Sequence, residues 1–564
     1  MSRLLSYFTL ALVLLSSNPV TRTIGADEAG LPSAADRQIA EQTITDAALR
    51  GHIRFLADDL LEGRGPGTTG DLLAQRYIAA TLESLGCKPA APGGGWYQPV
   101  PLVGVNTHVP ETITLEHGTD ALALRRHDDF VFTSGKPAAR AGFEDAELVF
   151  VGYGIIAPEF QWDDYKGMDL KGKVLVMMNN DPADDPNLFA GKRRLYYGRW
   201  DYKYEMAARQ GAAGAIIIHT TPSAGYPFQV VQTSWTGEEF ELRATPGPRV
   251  EMHGWCTEDA ARRVAKLSGH DLDQLRSSAE RRDFRPVPLG TRLSLALTCD
   301  IREQDTANVL GLLPGSDSAL APEMIVYMAH HDHLGIAAQP DASGDRICNG
   351  AIDNASGVGA LLAMAQAYAR LPRPARSILF AAVGAEEQGL LGSAYLAQHP
   401  PAPAGLLGAV INIDGVNILG PTRDLQVIGS GKSNMDLIVQ RIATWQKRVV
   451  TPDQFPDRGY YYRSDQFSLA KIGVPGVYLH PGTSVIGKPE GWGKQKLEEW
   501  TETKYHQPSD EYSDDWDLGG AVADVRLLFY TGLMAARQRE LPQWMPGDEF
   551  EAARKAALAQ RKIK

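Results

Sequence analysis

The segment AHHDHLG (329–335) places three histidines and one aspartate in four consecutive positions. Histidine is uncommon in this chain, with 13 in 564 residues. The cluster directly follows the apolar run MIVYMA (324–329), which is typical of a buried strand. An extended strand end puts His330 and Asp332 on one side, and His331 and His333 on the other. Spacing alone does not decide which pair faces a metal, but only the first pair contains a carboxylate that could orient a ligand histidine.

Further imidazole and carboxylate groups lie beside other apolar runs. They are Glu386 and Glu387 after SILFAAV (377–383), Asp414 after LGAVINI (407–413), Asp353 before the helical pattern GVGALLAMAQAYARL, and His506 in the polar segment KYHQPSDE. Each has an ordinary explanation by itself: a solvated glutamate pair, a helix N-cap, or a hydrogen-bonded surface histidine. Their convergence favours a site, because ligands of open α/β sheets bind beyond the carboxyl ends of the strands.

Continuous apolar runs that alternate with helical patterns must position these groups. The runs begin at residues 324, 377, 407 and 473, and amphipathic helical segments separate them. Strands that are apolar throughout are buried on both faces. The sequence therefore predicts an α/β fold with a mostly parallel mixed sheet flanked by helices.

Charge arithmetic favours a two-metal hydrolase. Two divalent ions bring +4, while Asp353, Glu387 and Asp414 bring −3, and two imidazoles are neutral. The residual positive charge favours hydroxide over water as the nucleophile. Glu386 is then free to take the proton of the water and pass it to a leaving amine.

The N-terminus and the composition restrict location and partners. MSRLLSYFTLALVLL (1–15) has a basic residue and an apolar run too short to span a bilayer comfortably, which predicts a signal peptide over residues 1–26. A buried N-terminal helix is the alternative. We expect an exported protein, periplasmic or extracellular, with no transmembrane segment in the mature chain. The 68 acidic residues outnumber 56 basic ones, which argues against nucleic acid as a partner. The four scattered cysteines leave disulfide pairing open.

Six segments resemble, in order and spacing, the motifs of the M28 metallo-aminopeptidases, which are cocatalytic two-zinc exopeptidases. They are AHHDHLG, GAIDNASGVGAL, GAEEQGLLGS, NIDG, YRSDQFSLAKIGVP and YHQPSDE. WDDYKGMDLKGKVLVM and GAAGAIII resemble the β-rich protease-associated (PA) domain inserted in many members. The resemblance implies a signal peptide (1–26), an N-terminal part of the peptidase domain (35–144), a PA insertion (145–285), a catalytic domain (286–545) and a C-terminal tail (546–564).

The resemblance also implies a ligand set and two Zn²⁺ ions per chain. His330, Asp353 and Asp414 would bind one zinc, and Asp353, Glu387 and His506 would bind the other, so that Asp353 bridges them. Glu386 would be the general base, and Asp332 would orient His330. Tyr461, four residues before Asp465, would polarise the scissile carbonyl, with Tyr460 and Tyr462 as its neighbours in sequence. Gln466 stands where relatives commonly have histidine, which puts the local hydrogen bonding in question.

These residues predict an exported zinc-dependent aminopeptidase that acts on the N-termini of peptides or proteins. Carboxypeptidase, dipeptidase and single-zinc glutaminyl cyclase activities are alternatives on the same fold. A carboxypeptidase needs a basic pocket for the substrate carboxylate, and the cyclase is disfavoured because His330 and Asp414 are both present. A non-catalytic receptor is disfavoured because no ligand is missing. The PA region is interpreted as a lid or access module, and the oligomeric state is left open.

Overall fold

The structure, a computed structural model, describes residues 31–561 except positions 183, 184, 186, 187, 192, 245, 246, 338, 339 and 342. The predicted signal peptide (1–26) lies outside the described residues. Among the helices of the described part, none combines the length and the apolar character needed to cross a membrane.

The described residues form β-strands along most of the chain. They are β1 (Lys88–Pro89), β2 (Tyr97–His108), β3 (Thr112–His117), β4 (Asp120–Arg125), β5 (Phe130–Ser134), β6 (Arg140–Phe150), β7 (Ile156–Ala157), β8 (Trp162–Asp163), β9 (Val174–Met178), β10 (Gly214–His219), β11 (Glu238–Leu242), β12 (Met252–Thr257), β13 (Val287–Leu313), β14 (Met324–His330), β15 (Gly335–Ile336), β16 (Ile347–Cys348), β17 (Ser377–Val383), β18 (Leu407–Asn412), β19 (Asp424–Ile428), β20 (Val449–Pro452) and β21 (Gly476–His480).

The α-helices lie before, between and after these strands. They are α1 (Ala34–Thr43), α2 (Asp46–Leu56), α3 (Thr69–Ser84), α4 (Trp200–Arg209), α5 (Thr221–Ala224), α6 (Phe228–Ser234), α7 (Glu258–Leu267), α8 (Leu272–Ala279), α9 (Gly357–Arg370), α10 (Leu391–Gln398), α11 (Met435–Trp445), α12 (Gln466–Lys471), α13 (Trp492–Thr503), α14 (Gly519–Arg537) and α15 (Glu551–Arg561).

A mostly parallel sheet forms the C-terminal half. β14 pairs in parallel with β17 and β18, and β18 pairs in parallel with β21. β13 joins β17 antiparallel at one side, and β19 joins β21 antiparallel at the other. The predicted α/β fold with a mixed sheet is therefore confirmed.

Both faces of this sheet are buried, as continuous apolar strands require. Along β14, Ile325 and Tyr327 belong to the core that α1, α2, α3, α9, α11 and α14 cover. The alternating Val326 and Met328 belong to the core on the opposite face, which includes Leu396 of α10 and Leu469 of α12. The period-two alternation of a strand thus divides one apolar run between two cores.

A second hydrophobic core occupies the central region. Two long strands, β2 and β13, pair antiparallel from Tyr97 opposite Val309 to His108 opposite Thr298, and they run from the mixed sheet into this region. There β9, β10 and β12 pair in parallel. This core draws on residues from Val109 to Leu297. The bounds 145–285 for a PA insertion stay a prediction.

The last described helix, α15, packs against the body of the protein. Arg554 is 1% exposed and donates hydrogen bonds to the carbonyls of Leu407, Gly408 and Pro542. Just before α15, Asp548 and Glu549 lie 2.8 and 2.7 Å from the buried Lys432 ammonium. The described part of the predicted tail (546–564) therefore carries buried contacts.

Candidate metal centre

The sheet topology gathers the candidate ligands at one edge. His330 is the last residue of β14, Asp414 follows β18 by two residues, and Glu386 and Glu387 follow β17. Because these three strands are parallel neighbours, their carboxyl ends meet at the same edge. Asp353 comes from the helical segment Ala351–Ser356 that precedes α9, and His506 comes from the loop after α13.

Distances between the side chains define two groups that share one aspartate. His330 Nε2 lies 3.2 Å from Asp353 Oδ1 and 3.4 Å from Asp414 Oδ1. His506 Nε2 lies 3.0 Å from Glu387 Oε2 and 3.4 Å from Asp353 Oδ2. The two oxygens of Asp353 therefore face two different histidines. The structure brings the five predicted ligands together in this arrangement.

The chemistry of these donors fits divalent cations. His506 Nε2 is buried and has no hydrogen-bond partner among the described residues, although two carboxylate oxygens lie within 3.4 Å of it. A nitrogen that lies near oxygens without hydrogen-bonding them is suited to coordinating a shared ion. His330, Asp353 and Asp414 offer ligand atoms within 4.8 Å of one another.

Electrostatics separate the two adjacent glutamates. Burial raises the pKa of Glu387, but the charges of His506 and His333 and the hydrogen bond to His333 together outweigh it, so the pKa of Glu387 falls to about 2. Burial also raises the pKa of Glu386, and the charges of Glu387, Asp465 and Asp414 hold it well above its ordinary value against the opposing His330 charge. One glutamate therefore stays ionised while its neighbour can hold a proton.

Asp332 supports more of the centre than the sequence predicted. Its carboxylate is inaccessible to solvent and accepts the backbone N–H groups of Glu386 at 3.1 Å and Glu387 at 3.4 Å. Its Oδ1 lies 3.8 Å from His330 Nδ1, whereas the Asp332 carbonyl oxygen lies 3.3 Å from that nitrogen. The predicted orienting role toward His330 stays a prediction, and the contacts show Asp332 fixing the glutamate loop.

The other two histidines of the cluster contact separate carboxylates. His331 Nε2 lies 2.9 Å from Asp71 Oδ1, and both side chains are fully buried. His333 Nδ1 lies 2.6 Å from Glu387 Oε1, so it contacts a candidate ligand. His333, Asp353 and Glu387 also form a set of possible ligand atoms within 4.8 Å. The sequence analysis placed both histidines on the side of the strand end away from His330, and their partners could not be read from spacing.

Tyr461 is not brought to the ligand groups by any hydrogen bond in the described part of the chain. Its ring packs with Tyr462 and Phe550, and its hydroxyl is buried without a partner. The Tyr478 hydroxyl instead lies 3.5 Å from Asp414 Oδ2. The role given to Tyr461 stays a prediction, and Tyr478 is a tyrosine that sequence reasoning missed. It lies within an apolar run and therefore gives no polar signal.

Gln466 hydrogen-bonds through both the oxygen and the nitrogen of its side-chain amide. Its Oε1 accepts from Asn412 Nδ2 at 2.8 Å, and its Nε2 donates to the Tyr461 carbonyl at 2.6 Å. Asn412 also donates to Ser464, whose hydroxyl donates to Asp414 Oδ2 at 2.6 Å. Glutamine thus holds the loop that supports Asp414.

Two further residues that the sequence analysis did not single out tie the ligand segments together. Arg64 is 1% exposed and donates to the carbonyls of His331, Leu56, Asn349 and Gly350. Asp510 accepts the backbone N–H groups of Ile352 and Asp353, each at 3.1 Å. The sequence shows that Arg64 lies in a polar segment, EGRG, and Asp510 in another, HQPSD. It does not show which distant backbone groups they bind.

Glycine is required beside Arg64 because two chain segments approach there. Gly63 has a φ of +68°, and a Cβ at this position would lie 2.5 Å from the carbonyl oxygens of Cys348 and Gly335. The N-terminal segment can therefore lie directly on the loops that follow His330 and precede Asp353.

Known proteins resemble this chain over part or most of its length. The sequence profile of peptidase family M28 matches residues 308–530. A probable zinc metalloprotease of Pyrenophora tritici-repentis is 45% identical over 67 residues, which are 12% of this chain and 15% of that protein. Aminopeptidase NAALADL1 of Rattus norvegicus is 32% identical over 111 residues, which are 19% of this chain and 13% of that protein. The matches thus span about a seventh of the length of these relatives.

Among solved structures, an aminopeptidase from Aneurinibacillus sp. strain AM-1 has the same fold. It is 21% identical, with a TM-score of 0.51, over 90% of this chain and 97% of that chain. Residues 308–530, which match the model of peptidase family M28, contain all five candidate metal ligands.

Proposed function

We propose that this protein is a metal-dependent aminopeptidase that removes N-terminal residues from peptides. The observation that carries the proposal is the pair of ligand groups that share Asp353, with His330 and Asp414 on one side and His506 and Glu387 on the other. Two oxygen-rich sites joined by one carboxylate are suited to hydrolysis at a peptide carbonyl. The rat relative, which matches over 19% of this chain, is named an aminopeptidase.

The donor set fits two Zn²⁺ ions per chain. His330, Asp353 and Asp414 would hold one, and Asp353, Glu387 and His506 would hold the other. When bound, the two ions supply the Lewis acid that polarises the scissile carbonyl and eases deprotonation of the attacking water.

Glu386 is proposed as the group that moves the proton. It follows Ala385 in the loop between β17 and α10, and burial together with the neighbouring carboxylates raises its pKa well above the ordinary value. A carboxyl with a raised pKa takes a proton from the attacking water and returns it to the leaving amine. Asp332 holds the backbone of Glu386, which keeps that carboxyl beside Glu387.

The mature protein is proposed to act outside the cytoplasm, in the periplasm or the extracellular medium. The support is the signal-peptide pattern of residues 1–26. N-terminal sequencing of the protein recovered from cell fractions tests this. An exported protein begins after residue 26, whereas an intact N-terminus in the cytoplasm contradicts export.

A panel of amino-acid anilides tests the activity, with and without chelator. We expect Glu386→Gln to keep two metals per chain and to lose about 10²–10⁴-fold in kcat, the usual contribution of a general acid–base group. Glu387→Ala should lose bound metal by elemental analysis. Glu502→Gln, at an exposed glutamate of α13, is the matched control and should keep both metal and turnover.

Two outcomes contradict the proposal. Near-normal turnover by Glu386→Gln with two metals bound excludes the assigned proton transfer. One metal per chain in the active wild-type protein excludes the paired site and favours the single-zinc alternative.

A further inference from the structure

The loop that carries Glu386 and Glu387 closes on itself at a narrow neck. The loop begins with Gly384, directly after β17, and leads into α10 at Leu391. A Cβ added to Gly392 would lie 2.1 Å from the Gly384 carbonyl oxygen and 2.8 Å from the Gly384 nitrogen. The two ends of the loop therefore meet through backbone atoms, and position 392 requires glycine because a side chain would push them apart.

Asn308 binds both sides of this neck. It is a fully buried residue of β13, the strand that pairs antiparallel with β17. Its Oδ1 accepts the Gly384 backbone N–H at 3.1 Å, and its Nδ2 donates to the Gly392 carbonyl at 2.8 Å. The neck presents one donor and one acceptor, and a side-chain amide supplies the matching pair. A side chain that lacks either group leaves a buried backbone group without a partner.

A second amide fixes the direction in which the Asn308 amide faces. Asn308 Nδ2 also donates to Gln98 Oε1 at 2.9 Å, and Gln98 Nε2 donates to the His399 carbonyl at 2.7 Å. Gln98 is the partner of Asn308 on the neighbouring strand β2, and it is buried as well. The nitrogen and the oxygen of the Asn308 amide are therefore both engaged, so the amide has one favourable orientation.

The backbone of the loop depends on support from outside. Ala385 and Leu390 have φ values of +55° and +63°, in the left-handed region that residues other than glycine rarely adopt. Such conformations persist where the surrounding structure holds them. Ala385 directly precedes Glu386, so a change in its backbone angles would turn the Glu386 side chain away from its present direction.

Asn308 and Asp332 hold the loop at different places. Asp332 accepts the N–H groups of Glu386 and Glu387 at 3.1 and 3.4 Å. Asn308 instead fixes the base of the loop, and no hydrogen bond joins its side chain to either glutamate in the described part of the chain. An effect of Asn308 on Glu386 must therefore pass through the position of the loop backbone.

We propose that Asn308 is a positioning residue for the reaction: it closes the neck at Gly384 and Gly392 and thereby keeps the Glu386 carboxyl in place at the metal centre. The inference rests on the proposed peptidase function, in which Glu386 moves the proton. It adds to that function a residue of β13, a strand that also contributes to the core of the central region.

Asn308→Ala tests this role in the full-length protein with Zn²⁺ in excess. Because a displacement of about 1 Å can lower the rate about 100-fold, we expect kcat on the best anilide of the panel to fall about 10- to 100-fold. KM should change by less than about threefold and two metals should stay bound, because the substituted side chain lies outside the ligand groups. Circular dichroism reports folding, and Asn308→Ser replaces this variant if it does not fold.

A double-mutant cycle with Glu386→Gln separates positioning from a general loss of structure. Residues that act through one group are not additive, so Asn308→Ala should lower kcat by less than about threefold in the Glu386→Gln background. A residue that only stabilises the fold would lower kcat by the same factor in both backgrounds.

Asn179→Ala is the matched control. Asn179 is 4% exposed, and its Nδ2 donates to the Ser223 carbonyl at 3.0 Å in the central region. The same loss of a buried amide there should leave kcat within about twofold of wild type. An equal loss of kcat in the two variants would mean that Asn308 acts only through stability, which contradicts the positioning role.

Hydrogen exchange of the wild-type protein tests the neck without a substitution. Because the Gly384 N–H is bonded to a buried side chain, it should exchange as slowly as the backbone N–H groups of β17. Exchange as fast as that of an exposed loop overturns the proposal, whether or not the variants fold.

Two further results overturn it. One is a folded Asn308→Ala protein whose kcat stays within about twofold of wild type, and the other is an equal factor of loss in both backgrounds of the cycle. Failure of the proposed function looks different, because wild-type protein with two bound metals then cleaves no anilide. Cleavage by the wild type with no effect of Asn308→Ala contradicts only the positioning role.

Discussion

Asp332→Asn is the sharpest test of how the glutamate pair is held, because it changes one atom in a fully buried side chain. In the native protein Asp332 Oδ1 accepts the Glu386 N–H at 3.1 Å, and Oδ2 accepts the Glu387 N–H at 3.4 Å. Asparagine has one acceptor oxygen and one NH₂ group. One of the two backbone N–H groups must then face a donor.

The magnitude follows from these two bonds. Burying a backbone N–H without an acceptor costs about 1–3 kcal/mol. The other N–H keeps an acceptor oxygen, but its hydrogen bond is weaker because the amide of asparagine is uncharged. Because about 1.4 kcal/mol corresponds to tenfold in rate, we expect kcat/KM to fall roughly 10- to 100-fold. Supporting residues of metal sites contribute on the same scale to metal affinity.

The assay measures kcat/KM on the best anilide and the metal that remains bound over a series of chelator concentrations. Asp524→Asn is the control, since its carboxylate lies 2.6 Å from Arg448 and does not contact the candidate ligands. It should lower stability without a matching loss of activity. Residues that support metal ligands usually change metal affinity or activity by about tenfold or more. If folded Asp332→Asn keeps both kcat/KM and metal affinity within about twofold of wild type, Asp332 does not position Glu386 and Glu387 for metal binding or catalysis.

Three further predictions address the supporting structure. Arg64→Met should lower the free energy of unfolding in urea by roughly 2–5 kcal/mol, because four carbonyls lose a buried donor; an unchanged midpoint contradicts this. Asp548→Asn together with Glu549→Gln removes both negative charges that pair with Lys432 and should cost about 3–5 kcal/mol in the same measurement, with recovery when Lys432→Met is added. Burial raises the pKa of Asp164, and its hydrogen bonds and the Lys203 charge oppose this only in part, so that the pKa is about 7 in the folded protein. Between about pH 4 and pH 7 the folded chain therefore keeps a proton on Asp164 that the unfolded chain releases. Unfolding free energy should therefore fall between about pH 4.5 and about pH 7, and Asp164→Asn should show a smaller fall in urea titrations at those two values; an equal fall in both proteins contradicts the assignment.

The strands of the catalytic sheet could be predicted closely because their environment leaves a simple pattern. The runs at 324–329 and 377–383 correspond to β14 (Met324–His330) and β17 (Ser377–Val383). A central parallel strand is buried on both faces, so it reads as a continuous apolar segment. The position of ligands just after such runs then follows from the direction of the strands.

The central region could not be delimited in the same way. β13 extends from Val287 to Leu313 and serves two cores, with buried and exposed residues alternating along its first half. A strand shared by two cores gives no break in pattern where one unit ends. The bounds 145–285, which the resemblance implies for a PA insertion, therefore stay a prediction.

Contacts that depend on chain segments far apart in sequence were beyond the sequence analysis. His331 meets Asp71 across 260 positions, and the alternation of a strand end could only say that His331 and His333 point away from His330. In the structure that opposite side holds two different environments: an inaccessible Asp71 for His331, and a candidate ligand, Glu387, for His333.

The difference between these two environments has a consequence for the centre. An imidazole that contacts Glu387 shares that carboxylate with His506, because His333 Nδ1 approaches Oε1 and His506 Nε2 approaches Oε2. Glu387 is therefore held from one side by a buried ring and turns its other oxygen toward His506. Since the His333 side chain is fully buried and the His506 side chain is about a third exposed, the buried ring sets the orientation of the carboxylate that the more exposed His506 contacts.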